Sequence, residues 1–158
     1  MGYIHILRVP AAGEVVSLGV LNMGEHRLNS ARRGTLGFAV RASGIWRTYY
    51  RLLPALEIFP PADGAVTAVG AGSFRLRAGD GLELEVTLPG DAEYFIRLGE
   101  IARVGESVCR IDPGAFAQDS AGVTVSFCNG ARVTELHVFA GAARRGRLAA
   151  EYSVREPE

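Results

Sequence analysis

No lysine occurs anywhere in the 158 residues, so all 17 basic side chains are arginine. That absence excludes chemistry that needs an amine nucleophile or a phosphate-gripping lysine, such as Schiff-base formation or a P-loop. It fits the residue usage of a GC-rich genome, and equally a selection for planar, bidentate guanidinium groups at interfaces. An excess of charge of either sign is missing too, because 17 acidic residues balance the 17 arginines and both are interspersed. The chain therefore has no broad field to draw it to nucleic acid or to an anionic membrane, and no nucleic-acid partner is expected.

Long apolar runs are absent as well; none approaches the ~20 residues of a membrane span. The opening MGYIHILRVPAAGE lacks a charged region followed by an apolar one, so no secretory signal is read. Ile6 stands where an N-myristoylation motif places Ser or Thr. The expected setting is cytoplasmic or particle-associated. Cysteine is scarce: Cys109 and Cys128 match no metal or redox spacing and read as thiols rather than a disulfide. His5, His26 and His137 form no H-x-H or H-E-x-x-H pattern. Gly70-Ala71-Gly72-Ser73 fits neither a nucleophile elbow nor a dinucleotide loop. No metal, cofactor or catalytic residue is expected from spacing.

What remains is a β pattern. A hydrophobic share of 48% supports a folded globule. Runs rich in β-branched and aromatic residues recur between Gly, Pro, Asn and Asp, which is the signature of a sandwich or barrel. Strands are expected near 3–9, 14–21, 35–42, 45–52, 55–59, 65–69, 72–78, 82–88, 93–98, 106–111, 122–128, 132–139 and 147–154. Helical periodicity is nearly absent, with short helices or turns expected only at 97–104 and 113–119. The expected fold is all-β, an antiparallel two-sheet sandwich of jelly-roll-like or lectin-like type, as a single domain over 1–158.

Two hairpins can be put in register from pattern alone. Around Gly79-Asp80-Gly81, Leu76 faces Leu84 and Phe74 faces Val86, while Arg77 meets Glu83 and Arg75 meets Glu85 on the other face. Asn129-Gly130 is the strongest two-residue hairpin signal and would pair Val123 with Leu136 and Val125 with Thr134. Ala31-Arg32-Arg33-Gly34 is echoed by Ala143-Arg144-Arg145-Gly146. The two turns would make a local anion-binding spot if they lay at one end of the fold.

Gly44-Ile45-Trp46-Arg47-Thr48-Tyr49-Tyr50-Arg51 holds the only tryptophan and two of five tyrosines. As a strand it would place Trp46, Thr48 and Tyr50 on one face and Arg47, Tyr49 and Arg51 on the other. Flat rings beside polar donors suit sugars, and Trp, Tyr and Arg also anchor protein interfaces. The alternative is that Trp46 and Tyr50 pack between the sheets, under arginines that cover the surface. Tyr3–Val9 resembles the first strand of the fungal fruit-body lectins, and Ala150–Val154 is similar to a late strand of that family. The resemblance implies an actinoporin-like sandwich, but it spans two short segments, carries over no sugar-binding residue and assigns no membership.

These features point to a non-catalytic, lectin-like carbohydrate-binding module with Trp46, Arg47, Tyr49, Tyr50 and Arg51 as its ligand-binding residues. Its partner would be a saccharide or a protein, and a homo-oligomer is possible. The rival expectation is an assembly protein, a component of a virion, phage particle or injection apparatus. A third is a small hydrolase using Cys109, whose thiol the adjacent Arg110 would activate, or His137 beside Glu135.

Overall fold

The computed structural model describes residues 4–18, 36–42, 44–118 and 122–154. Its strands are β1 (His5–Arg8), β2 (Gly13–Ser17), β3 (Gly37–Arg41), β4 (Leu56–Ile58), β5 (Gly64–Val69), β6 (Ser73–Ala78) and β7 (Glu83–Thr87). They continue with β8 (Ala92–Tyr94), β9 (Ile101–Ala102), β10 (Cys109–Ile111), β11 (Val123–Phe127), β12 (Val133–Val138), β13 (Gly141–Ala143) and β14 (Leu148–Val154). Two short helices interrupt them, α1 (Ile45–Arg51) and α2 (Pro113–Phe116). The expected all-β, antiparallel, sandwich-like architecture is what the chain adopts. One sheet has eight strands in the order β13-β2-β3-β11-β7-β6-β5-β9, and two have three each, β1-β14-β12 and β4-β10-β8.

Alternation builds the core. Phe74, Leu76, Leu84 and Val86 from β6 and β7, and Val123, Val125 and Phe127 from β11, are each at most 1% exposed and belong to one buried cluster. The β6–β7 register is the one the sequence dictates: Phe74 faces Val86, Leu76 faces Leu84, Arg75 faces Glu85 and Arg77 faces Glu83. Gly81 closes the turn with φ +85°, a conformation that suits glycine. The Asp80 carboxylate braces the turn by accepting from the Leu82 amide at 2.9 Å.

The second expected hairpin does not form. Strand β11 pairs with β3 on one side and β7 on the other, and β12 pairs with β14 in a different sheet. A type I′ turn needs positive φ at both central residues. Asn129 instead has φ −116° and leads into a 3-10 turn over Gly130–Arg132. Its side-chain oxygen accepts from the Glu83 amide at 3.0 Å, so it caps β7 and releases the chain to another layer. One further difference is local. Segment 45–52 is helical rather than a strand. Of the helix or turn expected over 97–104, the turn is present and leads into the edge strand β9. The helix expected after Asp112 is present but ends at Phe116, with the Asp112 side chain accepting from the Gly114 amide at 3.0 Å. His26 and Arg32-Arg33 lie outside the described residues.

Strands β3 and β11 approach so closely at Gly37 that a Cβ there would sit 2.0 Å from the Val125 carbonyl oxygen, at φ +147°. Gly37→Ala is therefore expected to cost at least about 3 kcal/mol in urea unfolding. Gly79→Ala, whose Cβ would meet nothing within 4 Å, serves as the near-neutral control.

Candidate functional site

Helix α1 forms because its aromatic residues are spaced for one. Trp46 and Tyr50, four apart, share a face and stack at 6.1 Å with an interplanar angle of 25°. Tyr50 also meets Phe116 of α2 edge-on at 4.9 Å. Its ring is 2% exposed, and its hydroxyl donates to the Ala12 carbonyl. Tyr49, four residues from Ile45, stands half out of the surface at 50% exposure.

This aromatic ledge is one wall of a groove of about 680 Å³. Trp46, Tyr49, Tyr50 and Leu53 line it on the helix side, while Arg110, Arg144 and Arg145 face it from β10 and the β13–β14 turn. The arginine turn is a built feature. Gly146, at φ +85°, lets the chain reverse, the Gly146 amide donates to the Val9 carbonyl at 2.9 Å, and the Val9 amide donates to the Arg147 carbonyl at 2.8 Å. Three guanidinium groups thus line a groove whose one carboxylate is Glu57. Arg110 is tied to Glu93 at 2.7 Å, an exposed pair worth at most about 1 kcal/mol. Among the described residues, neither Arg144 nor Arg145 meets a carboxylate; Arg145 lies 3.9 Å above the Phe59 ring.

Of the five residues singled out in the sequence, Trp46, Tyr49 and Tyr50 line this groove. Arg47, half-buried, and Arg51, exposed at the last turn of α1, are not among its walls. The sequence reading did not include Arg110, Arg144 and Arg145 in the site. The Arg-Arg-Gly echo was the available signal for the last two.

The thiol chemistry expected of Cys109 is overturned. Its side chain is fully buried, and burial pushes its thiol up to about 12, so it stays neutral and inert at ordinary pH. Arg110 does not activate it, because alternation along β10 turns the guanidinium to the opposite, exposed face, where Glu93 holds it. His137 stacks on Phe139 at 4.5 Å and faces outward on β12, in a different sheet from Cys109. Among the described residues no group of three or more His, Cys, Asp or Glu side chains is arranged to hold a metal ion.

A second polar cluster, legible in no local pattern, joins β1 to the β6–β7 turn. His5 stacks on Tyr152 at 5.2 Å, the Tyr152 hydroxyl donates to Asp80 Oδ2 at 2.8 Å, and His5 Nδ1 lies 3.5 Å from the same oxygen. Burial, then the hydrogen bond and charge of Asp80, push the Tyr152 phenol well up. Burial likewise raises Tyr50, and raises Tyr94 to about 12.

No protein-family model and no curated protein sequence matches the chain. Among solved structures it is similar to the glucose permease IIA from Mycoplasma capricolum, with a TM-score of 0.67 and 18% identity over 94% of this chain and 96% of that one. A protein described as a glycyl-glycine endopeptidase, lytM, from Ruminococcus gnavus overlaps at a TM-score of 0.48 and 13% identity, over 77% of this chain and 52% of that one. The second overlap is too loose to argue from, and the first speaks for the fold alone.

That fold overturns the lectin-like expectation. The sandwich is of the glucose permease IIA kind and not a lectin's, and the rings expected as a strand-borne platform instead pack on one another along a helix. No structural neighbour supports the particle-component alternative, which draws on exposed strands, arginine-rich turns and the aromatic cluster as an interface anchor. No helix among the described residues is long and apolar enough to cross a membrane.

Two measurements check this account. A disulfide reagent at pH 8 should label exposed Cys128 in the folded protein, at a rate slowed because partial burial pushes its thiol up, and Cys109 only on unfolding; reaction of both thiols at the same rate would contradict the burial. Because the raised phenols stay protonated in the fold, their contribution to stability is complete below the ordinary tyrosine value near 10 and is lost as pH rises through the higher folded values. Stability should therefore fall above pH ~10, and Tyr152→Phe should make that fall shallower in urea titrations at successive pH values.

Proposed function

We propose that this chain is a protein-docking module whose aromatic groove takes an acidic segment carrying a large apolar side chain from a partner protein. The observation that carries this reading is the charge imbalance over an apolar floor. Glu93 already holds Arg110, so the imbalance lies with Arg144 and Arg145, which face the groove beside the single carboxylate of Glu57 and have no carboxylate of their own among the described residues. Guanidinium groups fork onto carboxylates with two parallel hydrogen bonds. Trp and Tyr rings supply contact area at low entropic cost and dominate the energetics of interfaces. Trp46 and Tyr49 are in place for that role, with Tyr50 fixing the ledge beneath them. Arg51, on the same helix but outside the groove, adds to the positive field that would steer an acidic partner.

The groove's volume lies within the range of ~300–1,000 Å³ typical of ligand sites. The turn that carries Arg144 and Arg145 is held by backbone hydrogen bonds to Val9, so the backbone of that wall needs little ordering on binding.

Trp46 is the only tryptophan, so its emission reports binding directly. Titration with the peptide Glu-Phe-Glu-Glu-Leu-Glu should shift that emission saturably, whereas the same peptide with Arg for Glu should not. Arg144→Glu should weaken binding about tenfold or more, equivalent to ~1.4 kcal/mol or more, and added salt should weaken the wild type similarly in direction. Equal response to the acidic and basic peptides, or none to either up to ~1 mM, a free energy near −4 kcal/mol, would overturn the reading.

A further inference from the structure

The groove does not stop at Arg145. Beyond the guanidinium that covers Phe59 lies a second depression of about 250 Å³, between Phe59, Pro60, Val104 and Gly146. Arg145 is a wall of both hollows. Arg8 also faces the second one, and no carboxylate lines it. Arg8 gives one N–H to the Gly146 carbonyl at 3.0 Å, which leaves other donors of its five available.

The far wall is as firmly built as the near one. The Val104 amide donates to Asp63 Oδ1 at 2.7 Å. The Glu106 amide donates to the Arg103 carbonyl at 3.1 Å, and Gly105 takes φ +88°. Val104 is 37% exposed, an apolar side chain presented to solvent from a fixed turn. The Phe59 amide donates to the Pro10 carbonyl at 3.1 Å, which ties the floor of the second hollow to the β1–β2 connection.

We infer that the two hollows are one bipartite cleft, read by a single partner segment in the order apolar, acidic, apolar. The first apolar side chain would sit over Trp46 and Tyr49. The carboxylates would lie on the cationic ridge of Arg144, Arg145 and Arg8, and the second apolar side chain would rest against Phe59 and Val104. This inference rests on the docking reading above and names the segment that reading requires. Charge complementarity selects the occupant: with Arg110 held by Glu93, three further guanidinium groups, of Arg8, Arg144 and Arg145, stand around the two hollows against the one lining carboxylate of Glu57, and the ridge between the hollows is a guanidinium. An uncharged apolar helix would leave that ridge desolvated and unpaired, which is costly.

The test pairs two peptides with two variants and follows anisotropy of fluorescein-labelled Glu-Phe-Glu-Glu-Leu-Glu and Glu-Phe-Glu-Glu-Ala-Glu. The leucine peptide should bind the wild type several-fold tighter than the alanine peptide. Val104→Asp, at an exposed position, should erase that preference by weakening the leucine peptide at least fivefold while changing the alanine peptide much less. Arg144→Glu should weaken both peptides alike. If Val104→Asp leaves the leucine preference intact, or weakens both peptides equally, the bipartite cleft is overturned and single-hollow docking stands. If Arg144→Glu changes neither peptide, the docking reading itself falls and takes this inference with it. Unchanged circular dichroism of each variant, recorded alongside, ties any loss of binding to the cleft.

Discussion

Burying Tyr50 imposes a condition that much of the groove depends on. A phenol at 2% exposure needs a partner for its hydroxyl, since an unpaired buried polar group costs about 1–3 kcal/mol. The Ala12 carbonyl meets that need, but only if the ring points inward between the start of β2 and α2. A strand over 45–52 would place Trp46, Thr48 and Tyr50 on one face and leave Tyr50 beside a threonine. A helix puts Trp46, one turn earlier, directly against Tyr50 and brings Phe116 edge-on. Contact energy spread over three rings overrides the weak preference of Tyr and Thr for strands. The ledge on which Tyr49 and Trp46 stand is the consequence.

The same competition between local signal and tertiary context decides how much of the fold is legible in the sequence. Where pattern and partner agree, as in β6 and β7, the register follows residue by residue, because apolar pairs and opposite charges both demand it. At Asn129-Gly130 the local signal is as strong, yet the structure goes elsewhere. Val123, Val125 and Phe127 are buried on a strand that finds partners on both edges, β3 and β7, whereas a hairpin would supply one. No single-sequence argument weighs a distant β3 against a neighbouring β12. The strands themselves are legible because their period is a property of each segment; their order across three sheets is a property of the whole chain.

The site divides along the same line. Trp46, Tyr49 and Tyr50 stand out by composition within one short stretch, so their place in the groove could be expected even with the wrong secondary structure. Arg110, Arg144 and Arg145 come from β10 and from a turn near the C-terminus, and only the fold brings them opposite the rings. Adjacency in sequence groups Arg47 and Arg51 with the aromatics. A helix sends neighbours in sequence to different sides, and so separates them from the groove that their neighbours line.

The absence of lysine takes on a physical meaning at Arg145. Its guanidinium carbon sits 3.9 Å from the centre of the Phe59 ring, a contact that a planar, weakly hydrated cation makes readily and a compact ammonium makes less well. A guanidinium carries five N–H donors, so a group resting on a ring can still offer donors to a ligand. A lysine there would have to choose between covering Phe59 and offering its charge to a ligand. Whatever drove the residue usage of the chain, at this position arginine can be at once the apolar lid of one hollow and the cationic wall of the next. That dual role allows two hollows to meet at a single side chain with no carboxylate between them.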